Sequence, residues 1–144
     1  MKYLIGAFAL ALLMSMPAFA EDTTSPLVGA WRMTSLEVDI EGNFQPAPYS
    51  GQIIFTESGN MSVQAMHPDP SAPATAYTMN GYEAYYGTVA VDEASQTFVV
   101  TVESALVRDL IGQSMTRVFE VSDDTLVLTP SDPAEGWRVT YERF

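Results

Sequence analysis

From residue 28 onward, short runs of β-branched and aromatic residues alternate with polar positions, and clusters of turn-forming residues separate the runs. A period of two places one face of an extended chain on a core and the other in water, so the pattern predicts strands. Eight are expected, at about 28–40, 50–56, 60–66, 87–91, 97–103, 114–121, 125–129 and 137–143. Tight turns at Glu41-Gly42-Asn43, Ser58-Gly59-Asn60, Asp92-Glu93-Ala94-Ser95 and Ser122-Asp123-Asp124 join neighbours antiparallel. Eight such strands suffice to close a small barrel. The expected fold class is all-β: an eight-stranded antiparallel up-and-down β-barrel with one or two short helical insertions.

Two insertions interrupt the rhythm. The first, His67 to about Asn80, carries Pro68, Pro70 and Pro73, which suit an ordered loop and forbid a regular strand. Residues 80–86 then read as a short helical turn. The second, Ala105 to Gly112, places Leu106, Leu110 and Ile111 on one helical face. Each is either a lid at a barrel mouth or a plain connector.

Parity assigns an inner face. Met115, Arg117, Phe119 and Val121 share one side of the sixth strand, Phe98, Val100 and Val102 one side of the fifth, and Trp137, Val139, Tyr141 and Arg143 one side of the eighth. In the first strand Trp31 and Met33 lie on one parity but Leu36, Val38 and Ile40 on the other, which calls for a bulge or bend near Ser35.

The first twenty residues break this pattern. Met1-Lys2 is a basic start, Tyr3 to Met16 is apolar, and Pro17-Ala18-Phe19-Ala20 ends in a small-x-small cleavage pattern, so 1–20 reads as a signal peptide cut after Ala20. The apolar run is shorter than the roughly 20 residues that cross a bilayer, and no membrane span is expected after cleavage. The expected location is periplasmic or secreted. Residues 21–26 read as a flexible lead, and 27–144 as one domain of ordinary size.

Lys2 leaves with the leader, so five Arg then face 18 acidic residues, a net charge of −13. An acidic protein without clustered Lys and Arg excludes nucleic acid and anionic membrane surfaces as partners. The absence of cysteine removes disulfides, thiol nucleophiles, iron–sulfur ligation and a lipid-modified cysteine. His67 is the lone histidine and has no companion ligand, no Gly-x-Ser-x-Gly or phosphate-binding glycine pattern occurs, and the acidic pairs fall in turns. No catalytic residue, metal site or cofactor is therefore assigned.

Arg117 carries the sharpest chemistry. A charge pointing into an apolar barrel needs a partner. Either it is a handle for an anionic head group, or it pairs internally with a carboxylate such as Glu103 or Glu37. Tyr82, Tyr85 and Tyr86 offer apolar faces with hydroxyl tips for a cavity mouth, with Phe119 on the inner face beside them. The alternative for the tyrosines is packing of the short helical turn against the barrel.

These residues also resemble a known family. Gly29-x-Trp31 opens the first strand as in lipocalins, and closer likeness is to bacterial and fungal lipocalin-like domains. It runs through Gly51-Gln52-Ile53-Ile54-Phe55, Gly59-Asn60-Met61-Ser62, Met66-His67-Pro68-Asp69-Pro70 and Gly81-Tyr82-Glu83-Ala84-Tyr85-Tyr86-Gly87-Thr88. It continues through Val91-Asp92-Glu93, Val102-Glu103-Ser104, Asp124-Thr125-Leu126-Val127-Leu128, Trp137-Arg138 and Tyr141-Glu142-Arg143. The resemblance implies a lipocalin-like barrel, whose relatives mostly hold hydrophobic small molecules. Relatives often carry histidines in the fifth strand; this chain has Thr101 and Val102 there, so chemistry resting on those histidines does not carry over.

Barrel closure brings the end of the last strand beside the start of the first. Gly29, Trp31 and Arg143 are accordingly expected to form a structural plug, with guanidinium over indole. Three functions follow from the barrel. It binds a small hydrophobic or amphipathic molecule; it is an enzyme of the isomerase or cyclase type using the cavity; or its interior is filled and it serves structure or interaction. Binding without catalysis is the reading favoured here, and oligomeric state is left open.

Overall fold

A computed structural model describes residues 24–144. The expected signal peptide, residues 1–20, and residues 21–23 of the lead lie outside the described residues. The end of the lead is tied to the barrel, since the Ser25 carbonyl accepts from Val28 N at 3.0 Å and the Pro26 carbonyl from Arg143 Nη2 at 2.9 Å.

The strands are β1 Gly29–Ile40, β2 Asn43–Ala47, β3 Ser50–Phe55, β4 Asn60–Met66, β5 Tyr82–Asp92, β6 Thr97–Ala105, β7 Ser114–Ser122, β8 Thr125–Pro130 and β9 Trp137–Arg143. Every named-strand pairing is antiparallel, and β1 pairs with both β3 and β9, so these two and the strands between them close an eight-stranded barrel. The ninth strand, β2, was not expected. It turns back through Glu41 and Gly42, both at positive φ, and pairs with the far half of β1 while β3 pairs with the near half. β2 and β3 thus lie end to end along one edge of β1. Exposed at nearly every position and holding Pro46, β2 lacks the alternation that marks a strand, which is tolerable only at an edge.

The phase change in β1 is a bulge: the register to β9 slips between Met33 and Ser35, leaving Thr34 as the extra residue. Trp31 and Met33 therefore face inward before it and Leu36 and Val38 after it, whereas Ile40 projects past the barrel and is exposed. The helical turn expected at 80–86 is instead the start of β5. Its inward positions are Glu83, Tyr85 and Gly87 and its outward ones Tyr82, Ala84 and Tyr86, and a carboxylate inside with two tyrosines outside hides the strand. The second insertion is a single 3₁₀ turn, Arg108–Leu110; Leu110 is buried, but Leu106 and Ile111 are exposed.

The interior has two halves. At the end where the lead enters, Leu27, Trp31, Phe55, Phe98, Phe119 and Leu126 are each no more than 4% exposed and fill the barrel solidly. Phe98 contacts Phe55 edge-on at 5.3 Å and Phe119 at 6.4 Å between ring centroids. Toward the other end the filling stops.

Candidate binding cavity

The open half is a cavity of about 510 Å³. Its walls are mainly apolar: Met33, Leu36 and Val38 from β1, Ile53 from β3, Met61, Val63 and Ala65 from β4, Leu128 from β8, and Val139 and Tyr141 from β9. Phe98 forms part of the lining, and Thr75, Ala76, Tyr77 and Thr78 of the Pro-rich loop cover part of the mouth. This loop is built, not slack. Asp69 Oδ1 accepts from Ser71 N at 2.9 Å and Ser71 Oγ at 2.7 Å, Thr75 and Thr78 hydroxyls meet at 2.9 Å, and Thr78 is buried. Asn80 and Gly81, at φ 52° and 72°, form the turn that leads from the loop into β5, with Met79 and Tyr82 exchanging backbone hydrogen bonds of 2.9 and 3.0 Å. The insertion at 105–112 lines none of the cavity, so of the two lid candidates only the first covers the mouth.

Arg117, on β7, points inward and is 5% exposed. Its partner is neither Glu103, which is exposed, nor Glu37, which pairs with Arg138 at 2.8 Å. Instead Glu135, held in the 3₁₀ turn Pro133–Glu135, accepts from Arg117 Nη1 at 3.2 Å (Oε1) and 3.3 Å (Oε2). Tyr77 OH donates to Glu135 Oε2 at 2.6 Å and accepts from Arg117 Nη2 at 3.0 Å, and Trp137 Nε1 donates to the same carboxylate at 3.2 Å. The guanidinium also lies 5.0 Å from the Trp137 ring centroid. Partial burial works to raise the Glu135 pKa, but the Tyr77 and Trp137 hydrogen bonds and the Arg117 charge outweigh it and hold the carboxyl below its usual range.

Glu83 is the opposite case. It lines the cavity from β5 and makes no side-chain hydrogen bond or ion pair among the described residues. The residue is half-buried, and burial raises its pKa to about 7, with the Arg117 charge pulling the other way. The hydroxyls of Tyr85 and Tyr141 also lack protein partners among the described residues, and burial first, then the Glu83 charge, raises both pKa values.

Of the residues singled out from sequence, Arg117 and Tyr85 line the cavity. Tyr82 and Tyr86 do not: they have the outward parity of β5 and are 37% and 49% exposed. Phe119 faces inward but belongs to the packed lower half. Gly29, Trp31 and Arg143 meet at the closed end, with Arg143 Cζ 4.0 Å from the Trp31 ring centroid and Nη1 donating to the Val28 carbonyl at 3.1 Å. Gly29 has φ 136°, and a Cβ there would lie 2.7 Å from Arg143 Nη1, so only glycine lets the guanidinium pass. Sequence reasoning missed Glu83, Glu135 and Tyr77. The Asn80-Gly81 pair, a strong hairpin signal, would have started β5 early enough to turn Glu83 inward; nothing in the sequence around Glu135 or Tyr77 signals their meeting. Among the described residues no group of three His, Cys, Asp or Glu side chains is arranged to hold a metal, and no helix is long and apolar enough to cross a membrane.

Residues 28–140 match the family described as a lipocalin-like domain. No curated protein matches the chain. Among solved structures, the chain is similar to a lipocalin-like protein from Bacteroides uniformis, with 15% identity, a TM-score of 0.52, and 82% of this chain and 98% of that one covered. It is also similar to an uncharacterized protein from Bacteroides eggerthii, with 14% identity, a TM-score of 0.50, and 82% and 99% coverage. At such identities these likenesses speak for the fold alone.

Proposed function

Because the chain belongs to the lipocalin-like domain family, and its barrel is hollow at one end, we propose that it is an exported binding protein that takes one small amphipathic molecule into the cavity. The observation that carries this reading is the apolar cavity of about 510 Å³ into which the polar tips of Glu83, Tyr85 and Tyr141 project without protein partners. Ligand sites commonly enclose about 300–1,000 Å³ and combine apolar walls with a few convergent polar groups. These tips reach the open space of the cavity instead of being sealed in the core, so they are free to hydrogen-bond a ligand's head group. A filled-barrel module would not leave this space.

Export rests on the leader read at residues 1–20. Protein recovered from the periplasm or medium is expected to begin at Glu21; a chain beginning at Met1 would remove that part. Native mass spectrometry of protein purified from its own host tests binding, with a co-purified small molecule expected in one-to-one ratio. Absence of any adduct, together with no response to a panel of fatty acids and aromatic dyes, would overturn the proposal.

One observation favours the enzymatic alternative: a carboxyl whose pKa is near 7, beside tyrosine hydroxyls in an apolar site, is suited to proton transfer. Recovery of the bound molecule chemically changed after incubation would select that reading; recovery unchanged selects binding.

A further inference from the structure

We propose that the molecule taken into the cavity carries a basic amine on an apolar body, and that its ammonium group pairs with Glu83. This rests on the cavity being a binding site and specifies what it binds.

The charges lining the cavity are Asp39, Glu83 and Glu135 against one cation, Arg117. That cation is already satisfied by both oxygens of Glu135 and by Tyr77. An anionic head group seeking Arg117 would have to displace a carboxylate that also receives hydrogen bonds from Tyr77 and Trp137. Two lining carboxylates, Asp39 and Glu83, lack a side-chain partner among the described residues; Asp39 is exposed to water, whereas Glu83 is half-buried, and as an acceptor when ionised it asks for a donor with positive charge.

The groups around it agree. Tyr85, two residues along the same strand, and Tyr141 on β9 present neutral hydroxyls whose oxygens can accept from an ammonium group. Other charged or titratable groups on the cavity wall are Arg117 with its partners Glu135 and Tyr77, and the exposed Asp39; at Tyr85, Arg117 and Glu135 act in opposite directions. Burial holds the Glu83 proton to about neutral pH, so below that pH an arriving ammonium takes its place, the carboxyl proton leaving to solvent and the carboxylate forming the ion pair. The field of the molecule acts in the same direction: at −12 overall, it draws cations and repels anions.

The test compares three probes with one apolar body, naphthalene-ethylamine, naphthalene-ethanol and naphthalene-acetic acid, titrated calorimetrically into the full barrel at pH 8. The amine is expected to bind at least about tenfold more tightly than the alcohol, and the acid more weakly than both. Glu83→Gln should erase the amine's advantage over the alcohol when the two are compared in that variant. At pH 6, titrations in two buffers of different ionisation enthalpy should show the amine releasing close to one proton and the alcohol none. An acid that binds tightest, an amine no better than the alcohol, or an advantage that survives Glu83→Gln would overturn the amine assignment while leaving the cavity reading standing. Failure of all three probes to bind would overturn the cavity reading and the assignment with it.

Discussion

Two side chains, at opposite ends of the barrel, show how position decides what a charge does. Arg143 lies over Trp31, donates to the carbonyls of Pro26 and Val28, and is 3.9 Å from Asp124, so it is satisfied by groups the fold itself brings together. Losing the cation–π contact and two hydrogen bonds costs on the order of 1–3 kcal/mol. Arg143→Ala is therefore expected to lower the melting temperature by several degrees and leave cavity affinity untouched; an unchanged melting curve would contradict the plug. Glu83 has no such partners. Its pKa near 7 lies above the usual 4.5, so between those values the folded protein holds a proton that the unfolded chain gives up. Stability contributed by that proton is present below pH 4.5 and is lost as pH rises through 7. Glu83→Gln, which removes the buried charge, should accordingly stabilise the protein at pH 8 by about 1–3 kcal/mol and change little at pH 4. Urea unfolding at the two pH values checks this, and an equal effect at both would contradict it.

The element that determines the site is β5. At Gly87 its register to β6 slips by one residue, so that Glu103 on β6 is the extra residue, and the backbones come so close that a Cβ at 87 would collide with the Thr101 carbonyl oxygen. Gly87→Ala should destabilise by about 2 kcal/mol or more, since neither backbone can yield easily; denaturant unfolding showing a loss under half that would mean the strands relax apart. The strands with ordinary alternation, β3, β4 and β6 through β9, were legible because each puts apolar side chains on one face at period two. Their inward sets, including Phe98, Val100, Arg117 and Val139, follow from parity alone. The bulge in β1 was legible for the same reason, as a change of phase. The first half of β5 and all of β2 were not, because neither alternates apolar with polar: β5 turns Glu83 inward and Tyr82 and Tyr86 outward, and β2 is an exposed edge. The Arg117–Glu135–Tyr77 cluster joins positions 18 and 40 residues apart that only the closed barrel brings into contact.

Across the whole molecule, packing is divided between a solid half and a hollow half. Aromatic and branched side chains fill the end around Trp31, which carries the stability of the closed barrel, while smaller residues such as Val63 and Ala65 leave room beyond Phe98. A protein interior normally closes such space, because each empty region forfeits dispersion contacts and apolar burial. The solid half lets the rest of the barrel stay open. Filling the space should therefore remove binding without unfolding the protein. The direct measurement is fluorescence titration of the neutral dye N-phenyl-1-naphthylamine into the wild type and into Ala65→Phe, whose ring would project from β4 into the cavity. Saturable one-to-one binding by the wild type, weakened at least about tenfold in a variant whose melting temperature stays within a few degrees, is the predicted result. Equal binding by both proteins, or none by the wild type, would contradict a ligand site inside the barrel.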